Sequence, residues 1–125
     1  MQAPQPAVLL RIYTEEGKHH EHRPLHEAIV LKARTLGLAG ATVLRGPMGY
    51  GKSHIVHTAK ILDLTAKLPL VIEIVDAEEK IEALLRALDG VRDIGLVTLE
   101  KVQVLQYGRA SMQSAAGGSP DTTRR

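Results

Sequence analysis

Apolar residues in this chain change spacing twice in the same order, from every second residue to every third or fourth and back. That repeated change limits the available architectures more than any single motif does. In residues 7–13, Val8, Leu10 and Ile12 alternate with Leu9, Arg11 and Tyr13, the spacing of a strand. Residues 14–23 are polar, hold Gly17 and His19, His20 and His22, and read as a loop. From Pro24, a residue tolerated in a first helical turn, Leu25, Ala28, Ile29, Ala33 and Leu36 keep helical spacing until Gly37. Residues 41–45 predict a second strand, and residues 68–75, interrupted only by Pro69 and Glu73, a third. Asp76 with Glu79 three residues on resembles a capping box, and Ile81, Leu84, Leu85 and Leu88 form the stripe of a second helix that ends at Gly90. Residues 96–107 predict a last strand. Its apolar parity changes between Val97, Leu99 and Val102, Val104, which implies a bulge or break near Glu100.

The order is strand-helix-strand, a long loop, and strand-helix-strand. This is an α+β chain on the ferredoxin-like βαββαβ plan: an antiparallel four-stranded sheet with two helices on one face and a long insertion between strands two and three. A chain of 125 residues has room for one core. We place that domain at residues 7–108, after a flexible N-terminus at 1–6. Residues 109–125, where Ser, Gly, Ala, Thr and Pro prevail, read as a disordered C-terminal tail. The helices cover one face only, yet strand three carries Leu70, Ile72 and Ile74 on one side and Val71 and Val75 on the other. Strand one likewise sets Leu9 against Leu10. An apolar second face predicts a homo-oligomer.

Several function classes fall away on composition. Aromatics make 2% of the chain, Phe and Trp are absent and the formal net charge is +2. RNA-recognition domains share this element order, but they stack bases on sheet aromatics and attract phosphates with a basic surplus. No nucleic-acid partner is therefore expected. Without Cys there is no disulfide, thiolate metal site or cysteine nucleophile. The apolar run at residues 7–10 is too short for a signal peptide or a span, so a cytoplasmic protein that is not membrane-embedded is expected. No carboxylate pair or Ser-His-Asp set stands out, and no catalytic residue is assigned.

Residues 46–53, Gly-Pro-Met-Gly-Tyr-Gly-Lys-Ser, match the phosphate-loop pattern G-x-x-x-x-G-K-S letter for letter, with a strand before and room for a helix after. A phosphate-loop NTPase is thus one alternative, in which Lys52 neutralises phosphate and Ser53 holds magnesium. Such enzymes are built on parallel sheets with several crossovers, for which this chain has too few strands. A histidine-based metal-binding protein is another alternative, using His19, His20 and His22, with His26 in the first helical turn and His54 and His57 in the long loop after strand two. In an exposed, charged loop, solvated histidines are the simpler reading, and no metal site is assigned.

Gly40-Ala41-Thr42-Val43, Gly49-Tyr50-Gly51-Lys52 with His54, Leu68-Pro69 and Ile72-Glu73-Ile74-Val75 resemble the PII signal-transduction family in order and spacing. Leu10-Arg11-Ile12-Tyr13, Lys18-His19-His20, Pro24-Leu25-His26-Glu27-Ala28-Ile29-Val30, Gly37-Leu38-Ala39-Gly40-Ala41-Thr42-Val43 and the Arg45–Gly51 stretch resemble more closely a family of small, uncharacterised PII-like proteins. The resemblance implies a non-enzymatic homotrimer with a small-molecule effector, an adenine nucleotide, in clefts between subunits. It also implies a mobile T-loop at residues 46–67 that signals to a protein or transporter target. Carried over by position, Gly40, Ala41 and Thr42 line the cleft from one side, Gly49, Tyr50, Gly51 and Lys52 form the T-loop base, and Gly90, Arg92 and Gly95 stand in the B-loop. Several phosphate-neutralising charges of the family are missing. Leu70 follows Pro69 where a lysine is usual, and Val104 and Gln106 replace two arginines. A nucleotide with fewer phosphates, or another small anion, stays open as the ligand. Residues 55–67 hold no Tyr to match the modified tyrosine of some PII T-loops.

Overall fold

The computed structural model describes residues 1–59 and 67–108. Its elements in chain order are β1 (Gln5–Glu15), β2 (His19–His20), β3 (Arg23–Pro24), α1 (Leu25–Thr35), β4 (Thr42–Arg45), β5 (Met48–Gly49), β6 (His57–Thr58), β7 (Pro69–Asp76), α2 (Glu78–Ala87) and β8 (Leu96–Val104). The main sheet runs β4-β7-β1-β8, every neighbouring pair antiparallel. This is the ferredoxin-like α+β arrangement expected from the alternating periods. The expected tail at residues 109–125 lies outside the described residues, as do residues 60–66 of the expected T-loop.

Alternation along β1 and β7 sends Leu10 and Ile12, and Ile72 and Ile74, into one core with Leu25, Ile29 and Ala33 of α1 and Ile81 and Leu84 of α2, while Leu70 is buried at the cavity end of β7. Leu10, Ile12, Ile29, Ile72, Ile74, Ile81 and Leu84 are essentially solvent-free. Each such side chain contributes about 1.5–3 kcal/mol of burial free energy, so an aliphatic core suffices without Phe or Trp. The first helix stops where Gly37 takes φ +81° and donates to Arg34 O, while Leu38 N–H reaches back to Ala33 O. That is a Schellman ending, which needs a residue free to adopt positive φ.

Four local expectations are corrected. Pro24 is not the first helical residue but the cap position before it, paired with His19 in the small β2–β3 hairpin. The stretch at residues 14–23 is therefore not wholly loop. Asp76 does not cap α2 through a capping box. The cap is Ala77, without a side-chain bond, and Asp76 instead accepts from the Ala77 and Ala39 N–H groups at 2.7 and 2.8 Å. Finally, β8 pairs with β1 in unbroken register from Gln5↔Val104 to Tyr13↔Leu96, with no bulge at Glu100. It is an edge strand, wet on both faces. Leu96 is 62% and Leu99 56% exposed, so apolar residues of either parity fit an unbroken strand.

Candidate functional site

At the end of the sheet where β1 finishes and β7 and β8 begin lies an open cavity of about 1000 Å³. Its position follows from three tight backbone contacts. Gly95 has φ +113°, and a Cβ there would collide with the Tyr13 carbonyl, so the turn before β8 presses directly on β1. Only glycine has both the conformation and the room. Gly46 and Gly49 lie on Pro69, with hypothetical Cβ atoms 3.1 and 3.0 Å from its Cγ, and this brings the β5–β6 ribbon down onto β7. Lys18 closes the remaining side: its Nζ donates to Asp93 O at 3.0 Å and stands 3.7 Å from the Asp93 carboxylate.

The walls mix three chemistries. Tyr13 and Tyr50 supply aromatic surface, Pro69, Val71, Ile94 and Leu96 aliphatic surface, and Lys18, Lys52, Ser53 and His57 polar groups. Tyr50 is 65% exposed, and its ring is tilted against that of His54, with centroids 5.6 Å apart. Lys18 is shared with Asp93, whereas Lys52 has no ion-pair partner among the described residues. A flat heterocycle carrying an anionic group suits such a surface, the ring against Tyr50 or Tyr13 and the anion toward Lys52. Thr14, at the inner rim, has a buried hydroxyl with no partner among the described residues.

The fold brings together Gly49, Tyr50, Gly51, Lys52 and Gly95 of the residues singled out from the sequence. Gly90 and Arg92 lie in the turn whose next residues, Asp93, Ile94 and Gly95, line the cavity, but they do not line it themselves. Gly40, Ala41 and Thr42 stand elsewhere. Thr42 pairs with Glu73, toward the Asp76 end of β7, while Arg45 pairs with Leu70 at the cavity end. Tyr13, Lys18 and Asp93 escaped the sequence reading because they come from segments far apart in sequence that meet only through sheet register. Among the described residues no group of three His, Cys, Asp or Glu side chains is placed to hold a metal ion. The phosphate-loop alternative fails on geometry. Met48 and Gly49 form a strand paired with His57 and Thr58, and no helix follows Ser53 through residue 59, so the helix N-terminus that cradles phosphate in those enzymes is missing.

The DUF190 family model, described as an uncharacterized ACR, matches residues 7–104. A UPF0166 protein of Aquifex aeolicus (strain VF5) is 42% identical over 97 residues, 78% of this chain and 91% of that protein. Among solved structures, CPII of Thiomonas intermedia K12 bound to ADP and bicarbonate superposes with a TM-score of 0.61 at 21% identity, over 85% of this chain and 95% of that one. A second CPII structure, described as a nitrogen regulatory PII-like protein bound to ADP, AMP and bicarbonate, gives a TM-score of 0.60 at 20% identity, over 85% and 94%. The fold is PII-like.

Proposed function

Because the chain belongs to the DUF190 family, whose fold here is PII-like, we propose that it is a non-enzymatic regulator of the PII type. It assembles as a homotrimer, senses an adenine nucleotide in clefts between subunits and signals to a protein or transporter target through residues 46–67. The observation that carries this reading is the cavity in which aromatic Tyr50, the glycine hairpin on Pro69 and the cationic Lys52 converge. The structurally similar CPII binds ADP and AMP, ligands of the same chemistry. Thr42 stands at the opposite end of the four-residue β4 from the turn that leads to Gly49–Lys52, and Gly40 and Ala41 precede it. A cleft between copies, as the family resemblance implies, would let the two sets meet one ligand from two subunits. With Lys18 shared by Asp93, the cavity's cationic surface matches a mono- or diphosphate better than a triphosphate. Among the described residues no helix is long and apolar enough to cross a membrane, and a cytoplasmic location is part of the proposal.

Calorimetric titration with AMP, ADP, ATP and cyclic nucleotides, with and without magnesium, tests it. Saturable binding is expected, weakened about tenfold by Lys52→Ala, the size of one lost charge-assisted hydrogen bond, with no phosphate released. No heat from any nucleotide overturns the sensor reading, and turnover of ATP overturns the non-enzymatic one.

A further inference from the structure

The segment from residue 46 to residue 67 leaves the sheet at Arg45, the last residue of β4, and returns at Leu68, just before β7. Both stems meet one side chain. Glu16, the residue after β1, accepts the Leu68 N–H on Oε1 at 3.1 Å and pairs with Arg45 Nε through Oε2 at 2.9 Å. Its own N–H donates to Leu68 O at 2.9 Å, and beside it the Gly46 N–H donates to Pro69 O at 2.8 Å. The carboxylate is only 26% exposed, although it lies at the surface end of the sheet. Its chain neighbours Glu15 and Lys18 line the cavity, and Lys18 donates to Asp93 O there.

A carboxylate suits this position because it offers two acceptor oxygens to two donors on different strands. Glutamine keeps one oxygen and turns an amide N–H₂ toward the Arg45 guanidinium, donor against donor. Aspartate is one methylene too short to span both partners. We propose that Glu16 is the fastening of the 46–67 segment, a positioning residue that holds its two stems together and ties them to the rim of the cavity. Resting on the sensor reading above, occupancy of the cavity then reaches the segment through residues 15–18. The fastening itself stands independently of any ligand. Bringing together the ends of a loop of about twenty residues has an entropic cost that a two-pronged contact at the stem offsets locally.

Amide hydrogen exchange by NMR on the full chain tests this, comparing wild type with Glu16→Ala, Glu16→Gln and Arg45→Ala. Gly46 is the informative amide because its own bond goes to Pro69 rather than to Glu16. In Glu16→Ala, Gly46 and Leu68 are expected to exchange about tenfold faster while Ile12 and Ile74 keep their rates. Arg45→Ala, which removes only an exposed ion pair, is expected to do less, and Glu16→Gln to fall between. Trypsin cleavage after exposed Lys52 should accelerate in the same order. An unchanged Gly46 rate in Glu16→Ala overturns the fastening. So does a uniform rise that includes Ile12 and Ile74 in both Glu16 variants, which would mark general loss of stability. Adding ADP separates the relay from the sensor reading. If ADP slows Leu68 exchange in wild type but not in Glu16→Ala, the relay is supported; equal slowing in both overturns it. If no nucleotide of the panel binds either form, the sensor reading and the relay built on it fall together, and the ligand-free rates still decide the fastening.

Discussion

Tyr107 shows how a single residue carries information that the sequence hides. It follows β8 with its ring half-buried, and burial, with a smaller contribution from the Asp76 carboxylate, raises its phenol above the ordinary value. The folded chain therefore favours the neutral phenol. That contribution to stability is complete below the unfolded pKa of about 10 and is lost as pH rises through the higher folded value. Alkaline titration followed by phenolate absorbance should show a late component that disappears in Tyr107→Phe, and the urea midpoint of wild type should fall more above pH 10 than that of the variant. Identical curves for the two proteins would refute the assignment. Read as sequence, Tyr107 was only the last letter of a strand, because its partner Asp76 is distant in the chain. Gly95 is a parallel case. The turn at residues 90–95 was legible, but the approach of Gly95 to the Tyr13 carbonyl is set by sheet register and not by local composition.

Asp76 decides more about the joints between elements than a helix cap would. Buried at the end of β7, it takes the Ala77 N–H at the start of α2 and the Ala39 N–H in the connection from α1 to β4, joining three segments with one carboxylate. Removing it takes the partner from both N–H groups, Ala39 on an exposed residue and Ala77 on a half-buried one. Asp76→Ala is expected to lower unfolding stability by about 2–4 kcal/mol in urea, the cost of two charge-assisted hydrogen bonds, one of them to a half-buried donor. Asp76→Asn, which retains one acceptor oxygen, should lose less; a loss below about 0.5 kcal/mol in the alanine variant would show that water replaces both bonds. Long elements with one buried face, namely β1, β7, α1 and α2, were legible because period and burial coincide in them. The two-residue strands β2, β3, β5 and β6 are too short to have a period, and β8 misled because an edge strand does not enforce one. The same limit applies to the site. The Gly49–Lys52 hairpin announced itself by its glycines, whereas the Glu16 fastening and the Lys18–Asp93 contact depend on which strand ends the register brings together.

At the scale of the molecule, the uncovered sheet face is organised in rows. Leu44, Val71, Tyr13 and Leu96 stand side by side across all four strands by register, an apolar band at the cavity end. In the neighbouring rows Arg11 donates to Glu73 at 2.9 Å and to Glu100 at 3.0 Å, so the one cation on this stretch of β1 is matched on both flanks. Hydrogen bonding to Glu73, opposed by burial and helped by Glu100, raises the guanidinium further above its already high value, so it keeps its charge if the face is covered. Tyr13, Val71 and Leu96 belong to the cavity wall as well as to the band. A second copy seated on the band would complete that wall, which makes assembly and ligand binding one equilibrium and not two. Val71→Asp tests this at one position, because a carboxylate between Tyr13 and Leu44 must be dehydrated for another copy to cover it. Light scattering after size exclusion should give wild type three times the 13.6 kDa of the chain and shift the variant toward the single-chain mass. Calorimetry should show nucleotide affinity falling with it, although Val71 bears no charge for a phosphate to meet. A wild-type protein of single-chain mass would refute the trimer. A variant that dissociates yet binds nucleotide undiminished would place the ligand within one chain and detach sensing from assembly.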